Sequence, residues 1–588
     1  MSKKKDLNYE DYSTMRKQGQ SMGIVPEWMQ TAGLQMFMKK YLYDASCPRE
    51  QYERIARTMA IRAPFMSSPH DNVSFANKVE VKDYWYGKFF NILWKGYLAC
   101  STPLLSNTGT DRGLPVSCSG GIPVPDSVFG FSTIATEVAM LTKFGFGTAV
   151  DLSRIRHRGS SFNGGGVASG ILPVANWMDF VTTNVSQGSN RRGAVAVYLD
   201  IHHKDFYELA EFLHHNPDKL NVGWKINDKF IEKLNSGNKE AQKRFAKALY
   251  VKSVTGKGYF HFIDKANKLR GEAYDLHDLN VAASNLCNEI MLHSDDNHTY
   301  TCILAWMNLS KWREWKDTDA VYVATVFMDC LVSYFLEQAK DLQGMEKAVR
   351  MTEKGRAIGL GAGGLHTLFQ QEMIAFESTE AYILNKEIFE HINNESLKAS
   401  KDLARELGEP EWCKGLGIRF THRMAVAPTK STALIYGGIS EGINPDVAFS
   451  FTQSTAAGEV SRVMPTLLKL IKDKGLNVEE CIADVERAKG SVQHASWLSA
   501  EEKAVFKTGF EIPQEAILRL ASSRQRYIDQ GQSLNLFIDK RHSEEYISYI
   551  HQIAFNDPYI KGLYYLIGKR EADESDVAVE PVVCESCQ

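Results

Sequence analysis

The sequence predicts a mixed α/β protein with a helical N-terminal region. From about residue 91 to residue 566, short β-branched runs alternate with amphipathic segments such as residues 381–403, and this alternation is typical of helices packed on sheets. In residues 1–90, apolar side chains recur about every 3.6 residues, which predicts helices. Because no Pro/Gly/Ser-rich linker interrupts residues 91–566, we predict one large domain there. The apolar positions of the first region include Trp28, Leu34, Phe37, Met38 and Leu42.

Composition and charge exclude several broad classes of protein. The 588-residue chain has a net charge of −3 and is 44% hydrophobic, which suffices for a large core without an electrostatic bias toward nucleic acid or membranes. No apolar run approaches the roughly 18 residues of a spanning helix, and the start of the chain lacks a signal-peptide core. We therefore expect a cytoplasmic protein that binds neither nucleic acid nor a membrane.

The stretch Ser284–Ile290 carries three reactive polar side chains at alternate positions. On an extended backbone, Asn285, Cys287 and Glu289 would point to the same side. A thiol, an amide and a carboxylate would then converge on one bound molecule. Burying three such groups without a use is costly, so the stretch predicts a catalytic site.

The ten cysteines are too sparse for a disulfide scaffold, and any disulfide is expected to be catalytic. Cys118 follows a loop and Cys302 lies in a strand-like run. Cys584 and Cys587 form a Cys-x-x-Cys in an acidic tail that we expect to be disordered. A redox dithiol is favoured there over a zinc knuckle, since no second Cys/His pair lies nearby. The remaining cysteines are predicted to be small buried apolar residues: Cys47, Cys100, Cys330, Cys413 and Cys481.

These motifs, taken in order, resemble those of the large (alpha) subunit of class I ribonucleotide reductase, from about residue 85 to the C-terminus. The family's thiyl-radical loop matches residues 285–289, and its reducing pair matches Cys118 and Cys302. Its phosphate-binding segment resembles residues 428–432, followed by Gly-Ile-Asn-Pro at 442–445. Residues 527–536 and 562–565 are similar to two further family signatures, and the tail ends in the family's cysteine pair.

The resemblance implies a fold and a domain organisation. It implies a ten-stranded α/β barrel of two antiparallel five-stranded half-sheets, with Cys287 on a central finger loop. The expected regions are a helical segment 1–90, without the N-terminal ATP cone of longer members, a catalytic barrel 91–566, and a flexible redox-active tail 567–588.

The resemblance also implies a reaction, the reduction of ribonucleotides to 2′-deoxyribonucleotides, with ribonucleoside diphosphates as the expected substrates. Cys287 would supply a thiyl radical that takes the 3′-hydrogen, and Glu289 would accept the 3′-hydroxyl proton. Asn285 would orient the hydroxyls and polarise the developing carbonyl. Cys118 and Cys302 would supply the reducing electrons and end as a disulfide, which requires Cα atoms within about 7 Å of each other.

Two partners and a reductant follow from the same resemblance. Tyr564 and Tyr565 would carry the radical from a ferritin-like small (beta) subunit, so no cofactor or metal is expected to bind this chain directly. Cys584 and Cys587 would pass electrons from a thioredoxin or glutaredoxin-like protein to the pocket by disulfide exchange. A homodimer is also implied.

Nucleotide contacts are expected at two places. Substrate would contact Thr102, Ser117 and Gly145, and its phosphates would lie at Pro428, Thr429, Lys430, Ser431 and Thr432. A nucleoside triphosphate effector, a dNTP or ATP, would bind at Asp126, Ser127, Val128 and Arg156. Gln187 and Arg191, in a loop similar to the family's specificity loop, would report which effector is bound.

Two alternatives remain open at this point. A class II, adenosylcobalamin-dependent reductase shares the barrel and cysteines but needs no tyrosine pair. A catalytically silent nucleotide-binding regulator is the other. The Gly-x-Gly-x-x-Gly at 359–364 suggests a dinucleotide fold, but a helix-like stretch precedes it, so tight helix–helix approach is the preferred interpretation. The pairs at 202–203 and 214–215 are interpreted as solvated histidines rather than metal ligands.

Overall fold

The computed structural model describes residues 7–185, 193–455 and 458–568. The predicted helical N-terminal region is confirmed, and a π-helical turn, Phe37–Tyr41, extends one of its helices. These N-terminal helices are Tyr9–Ser21, Thr31–Met36, Pro48–Ala60 and Lys78–Trp94.

Helices and short strands then alternate through the rest of the described chain. The helices are Thr102–Asn107, Val128–Lys143, Leu172–Asn184, Phe206–His215, Asp228–Asn235, Lys239–Thr255, Ile263–Lys268, Glu272–Leu276, Trp312–Trp315, Ala320–Ala339, Glu346–Gly355, Leu365–Gln371, Thr379–Leu407, Lys430–Ile435, Pro465–Asp473, Val478–Arg487, Ala500–Val505, Gln514–Gln525 and Glu544–Asn556. Outside the main sheets, short strands form the hairpins Ser161–Phe162 with Gly166–Val167 and Ser450–Thr455 with Gly458–Val463.

The first half of the barrel is a run of five parallel strands. Such strands are buried on both faces and are therefore rich in apolar residues, as in Val195–Asp200 and Tyr259–Phe262. A sixth strand, Gly562–Leu563, pairs antiparallel with the last of the five. In spatial order the parallel strands are Ile122–Pro123, Thr148–Asp151, Val195–Asp200, Asn221–Ile226 and Tyr259–Phe262.

The second half is built partly from irregular extended segments. Leu98–Cys100, Leu304–Asn308 and Gly359–Gly363 form a sheet in that order. Backbone hydrogen bonds continue it, since the Leu360 N–H donates to the Arg423 carbonyl at 2.8 Å. A parallel bridge between Val426 and Gln532 adds a fifth segment. Beyond it, Leu536–Ile538 pairs parallel with Leu566–Gly568.

The two halves meet antiparallel at one seam. Tyr300–Thr301 pairs antiparallel with Ser119–Gly120, and the Cys302 N–H donates to the Cys118 carbonyl at 2.7 Å. This seam brings together two segments that are 184 residues apart in sequence.

The glycine-rich motif at 359–364 is a strand, so the expected helix–helix approach is wrong. Gly359–Gly363 pairs parallel with Leu304–Asn308. A Cβ at Gly361 would lie 2.6 Å from the carbonyl oxygen of Ala425, closer than van der Waals contact allows. Glycine therefore permits close strand packing here.

The helix Ala320–Ala339 is long and apolar enough to cross a membrane, which the sequence analysis did not anticipate, but 83% of its apolar window is buried inside the protein. Its buried Asp329 accepts hydrogen bonds from Arg356 at 2.9 Å and Arg419 at 3.1 Å. A paired carboxylate of this kind is characteristic of a core helix.

Candidate active site

The loop that carries Asn285, Cys287 and Glu289 lies between the half-sheets and is a tight turn. The expectation of an extended backbone is wrong, because Asn288 has a φ of 62° and its N–H donates to the Asn285 carbonyl at 3.3 Å. The Asn288 side-chain amide donates to the carbonyls of Phe260 at 3.0 Å and Leu563 at 3.3 Å. Strands from the barrel wall therefore hold the turn in place.

Asn285 organises the turn around the thiol. Its side-chain oxygen accepts hydrogen bonds from the backbone N–H groups of Glu289 at 3.0 Å and Ile290 at 3.2 Å. Its Nδ2 lies 3.4 Å from Sγ of Cys118. Because the turn curls back on itself, the amide, the thiol and the carboxylate line one pocket.

Glu289 is buried, and this burial controls its protonation. Loss of water raises the pKa of its carboxyl to about 7, although the side chains of Asn285 and Ser533 act in the opposite direction. The Ser533 hydroxyl lies 3.2 Å from the carboxylate and 2.8 Å from the Cys287 carbonyl. A carboxyl with this pKa can accept and return a proton near neutral pH.

Cys118 and Cys302 form a disulfide across the seam, with a Cα–Cα distance of 5.1 Å. This distance lies inside the range in which a disulfide forms without backbone movement. Cys118 and Cys287 line the same pocket, so one member of the disulfide and a third cysteine face one space.

The pocket has about 650 Å³ of space, including its mouth, which is within the usual range for small-molecule sites. Of the predicted substrate residues, Thr102, Ser117, Pro428, Thr429 and Thr432 line it, whereas Gly145, Lys430 and Ser431 are not among its lining residues. Its other walls include Ser101, Pro103, Gly147, Leu286, Leu304, Ala305, Trp306, Gly361 and Ala427.

Gly147 and Gly361 are wall residues that the sequence analysis missed. Gly145 instead turns the chain after the helix Val128–Lys143, with a φ of 96°, and so delivers Gly147 to the pocket. The missed glycines carried a usable signal, since an isolated glycine in a strand often marks close approach of another group.

Tyr564 and Tyr565 contact each other behind the loop, with ring centroids 4.0 Å apart and ring planes inclined by 48°. A third ring, Tyr259, joins them, with its hydroxyl 3.3 Å from that of Tyr565 and its centroid 4.7 Å from that of Tyr564. All three rings belong to one buried cluster with Cys287. Sequence analysis missed Tyr259 because it comes there through the pairing of its strand, Tyr259–Phe262, with Gly562–Leu563, which is distant in sequence.

The predicted effector residues lie at the start of the helix Val128–Lys143. Asp126 forms an ion pair with Arg156, with Oδ2 and Nε 2.6 Å apart. The Ser127 hydroxyl caps the helix by accepting the Gly130 N–H at 3.0 Å. Val128 is exposed. Gln187 and Arg191, like Cys584 and Cys587, lie outside the described residues.

Comparison with known proteins shows which proteins this chain is similar to. The chain matches the family profile of the ribonucleotide reductase barrel domain over residues 116–244, 234–415 and 411–566. A provisionally named ribonucleoside-diphosphate reductase large subunit of Frog virus 3 is 32% identical, with 80% of this chain and 86% of that protein covered. The large subunit of Invertebrate iridescent virus 3 is 27% identical over 92% of this chain and 93% of its own length.

A solved structure agrees with these matches. The class Id ribonucleotide reductase alpha subunit of Actinobacillus ureae superposes with a TM-score of 0.82 at 34% identity, covering 92% of this chain and 98% of that chain. The chain therefore belongs to the ribonucleotide reductase family, and the barrel prediction is confirmed. Within the family it is of the large, or alpha, subunit type, as are these relatives.

Proposed function

We propose that this chain reduces ribonucleotides, preferably ribonucleoside diphosphates, to 2′-deoxyribonucleotides through a thiyl radical on Cys287. One observation carries the proposal: a single pocket is lined by Cys287, the buried Glu289 and Cys118, which is disulfide-bonded to Cys302. The preference for diphosphates rests on the names of the relatives, which are ribonucleoside-diphosphate reductases.

In the proposed reaction, the Cys287 thiyl takes the 3′-hydrogen of the ribose and Glu289 accepts the 3′-hydroxyl proton. The resulting 3′-radical weakens the neighbouring C–O bond, and the 2′-hydroxyl leaves as water. Cys118 and Cys302 supply two electrons and the protons, and become a disulfide. Cys287 then returns the hydrogen to C3′ and regains its radical.

The pocket suits these steps physically. Asn285, fixed by two backbone N–H groups, keeps its Nδ2 directed toward the reducing pair, where it can bind a hydroxyl. Thr102, Ser117, Thr429 and Thr432 supply hydroxyl groups for the sugar and phosphates. The enclosed position of the loop limits water, which protects a radical from side reactions.

Delivery of the radical is proposed to run through Tyr565 and Tyr564 from a ferritin-like small subunit. The contact between the two rings and their shared cluster with Cys287 support this route. Tyrosines in contact favour this route over the cobalamin-dependent alternative, which forms its thiyl radical in place.

The remaining parts of the proposal concern reductant, effector and assembly. Cys584 and Cys587 would re-reduce the pocket disulfide with electrons from a thioredoxin or glutaredoxin-like protein. A cytoplasmic location, where thiols are kept reduced, is part of the proposal. A nucleoside triphosphate would bind near Asp126 and Arg156.

Exposed apolar side chains on two packed helices, Phe129 on one and Phe180 on the other, support a homodimer.

A reconstituted assay tests the proposal. Purified chain is mixed with a ferritin-like small subunit, or with adenosylcobalamin, and with ribonucleoside diphosphates or triphosphates, and deoxynucleotide is measured. We expect product with the small subunit and diphosphates. Product with adenosylcobalamin alone would establish the class II alternative, and absence of product under all conditions with retained nucleotide binding would establish the silent regulator.

Cys287→Ser is the decisive variant in that assay. A hydroxyl is nearly isosteric with a thiol but far harder to oxidise to a radical, so we expect turnover to disappear while nucleotide binding persists. Cys47→Ser, at a partly exposed free cysteine, is the matched control and should keep full activity. Multiple turnovers by Cys287→Ser would contradict the radical assignment.

A further inference from the structure

A second cluster of ligand-type side chains follows the active-site loop directly, in residues 293–298. In the described parts of the chain, two groups of histidines and carboxylates have ligand atoms within 4.8 Å of one another. One, Glu211 with His214 and His215, lies on an exposed helix face. The other, His293, Asp295 and His298, is enclosed, with only 10% and 13% of the two histidine side chains exposed.

Both ring nitrogens of His293 face oxygens that only accept hydrogen bonds. Nδ1 is 2.7 Å from the Asn280 carbonyl and Nε2 is 3.0 Å from Oδ2 of Asp295. A neutral imidazole has one N–H, so it satisfies one of these contacts. The second contact requires either an added proton or a metal ion at Nε2. An N–H donated to a backbone carbonyl from the far side of the ring is the usual support of a metal-bound histidine.

Asp295 presents its other oxygen to the second histidine. Oδ1 accepts backbone N–H groups from Asn297 at 2.7 Å and His298 at 2.8 Å, and lies 3.0 Å from His298 Nδ1. The carboxyl group of Asp295 thus lies between two imidazole rings.

His298 offers the second imidazole nitrogen. Its Nδ1 lies 3.0 Å from Oδ1 of Asp295, and its Nε2 is buried without a hydrogen-bond partner among the described residues. An ion bound at Nδ1 would replace the hydrogen bond between this nitrogen and the carboxylate.

We propose that His293, Asp295 and His298 bind one divalent transition ion of the zinc class. Two imidazole nitrogens and a carboxylate are ligands that zinc accepts, with a fourth position left for water. Two ligand atoms on a tetrahedral zinc lie about 3.3 Å apart. The observed separations of 3.0 Å run to the two oxygens of Asp295, and one ligand atom from each of the three residues lies within 4.8 Å of the others. A small turn of the carboxylate and of the rings would bring these atoms to the zinc spacing. The 37% exposure of the Asp295 side chain provides an entrance.

The position of this site gives a bound ion a defined effect. His293 forms an antiparallel bridge with Val281 across the base of the active-site loop. Ser294 donates a hydrogen bond to the Gly120 carbonyl at 2.8 Å, and residues 300–302 lead to the reducing pair. An ion on residues 293–298 would tie together the two ends that position Cys287 and Cys302.

The test uses the full chain, oxidised and stripped of metal by a chelator, in a Cys584→Ser, Cys587→Ser background so that the tail thiols cannot bind the ion. Zinc binding is measured by titration calorimetry, and Co²⁺ is added as a spectroscopic probe. We expect one equivalent of zinc and cobalt ligand-field bands of a tetrahedral nitrogen/oxygen site. Asp295→Asn and His298→Ala should each weaken binding at least tenfold.

His214→Ala with His215→Ala, at the exposed cluster, is the matched control and should bind zinc unchanged. Because a variant can misfold, ¹⁵N NMR of histidine in the unmutated site provides a second measurement: zinc should shift the resonance of His293 Nε2. The proposal is overturned if zinc does not bind stoichiometrically, if the control loses binding instead, or if the His293 resonances stay unchanged with zinc present.

Discussion

At the scale of single residues, burial rather than a charged neighbour sets the chemistry of Glu289. The carboxyl is enclosed by the loop and by Ser533, and loss of water raises its pKa to about 7. A carboxyl in water would be a far weaker base, with a pKa near 4.3. The proposed proton transfer therefore depends on the packing that surrounds the carboxyl.

The pH dependence of activity follows from this pKa. Because the proposed base must be ionised, kcat/KM should fall about tenfold per pH unit below about pH 7 and level off above it. Ser533→Ala removes a hydroxyl that lowers the pKa of Glu289, so its profile should shift to higher pH. Steady-state rates measured between about pH 5.5 and about pH 9 test this prediction. Coincident profiles for the two proteins would show that another group titrates.

Stability should depend on pH through the same carboxyl. The folded chain binds this proton more tightly than the unfolded chain, so the contribution is fully present below the ordinary pKa and is lost as pH rises through about 7. Relative to Glu289→Gln, the unmutated chain should lose on the order of 3 kcal/mol of unfolding free energy across that window. Paired denaturation midpoints at acidic and alkaline pH measure the difference.

At the scale of elements, the strand Gly359–Gly363 shows how close packing shapes the pocket. Gly361 lines the pocket and lies against the Ala425 carbonyl. A larger residue would push the strand away from its neighbour and change the pocket wall.

Gly361→Ala should therefore destabilise the fold by about 1–3 kcal/mol, as overpacking does, and should raise KM for the nucleotide. Gly568→Ala is the matched control, because a Cβ there meets no atom of the described residues within 4 Å, and it should change neither quantity. Chemical denaturation and steady-state kinetics measure the two effects. An unchanged midpoint for Gly361→Ala would mean that the strand relaxes freely.

The segment between the last two strands carries Tyr564 and Tyr565, through which we propose that the radical is delivered. Tyr564→Phe and Tyr565→Phe should each stop reduction, because phenylalanine cannot be oxidised in a proton-coupled step at tyrosine potentials. The lost hydroxyl changes volume little, so the stability cost should stay below about 2 kcal/mol. Activity assays and denaturation curves are run on the same preparations.

Tyr259→Phe serves as a comparison for the pair. Its hydroxyl contacts that of Tyr565, so its loss removes a hydrogen bond near the proposed route without removing either member of the route. We expect reduced but measurable activity. Unaltered rates in both Tyr564→Phe and Tyr565→Phe would place the radical elsewhere and favour the cobalamin-dependent alternative.

At the scale of the whole molecule, the barrel seam encloses the disulfide, so its reduction needs a carrier that reaches the pocket. Cys584→Ser with Cys587→Ser should leave a single turnover intact in pre-reduced protein and should lose cycling driven by thioredoxin. Dithiothreitol is small enough to enter the pocket and should restore activity. Single-turnover and steady-state product yields separate these cases, and full thioredoxin-driven cycling by the double variant would remove the tail from the route.

The sequence by itself determined which reactive side chains the protein carries and to which class its fold belongs. Residue types in the 284–290 stretch, the separated cysteines, the adjacent tyrosines and their order along the chain are local features, so they can be read without coordinates. The helical N-terminal region was also predictable, because amphipathic spacing is local.

Only the tertiary structure decided which of those residues lie close to one another and how deeply they are buried. The loop is a turn instead of a strand, and the carbonyls of Phe260 and Leu563, on two neighbouring strands of one sheet, hold Asn288. Pairing between strands that are distant in sequence also brings Tyr259 to the tyrosine pair, Gly361 to the pocket wall and Cys118 to Cys302, over separations of up to hundreds of residues. Burial then raises the pKa of Glu289. Contacts and burial arise from long-range packing, which no local pattern encodes.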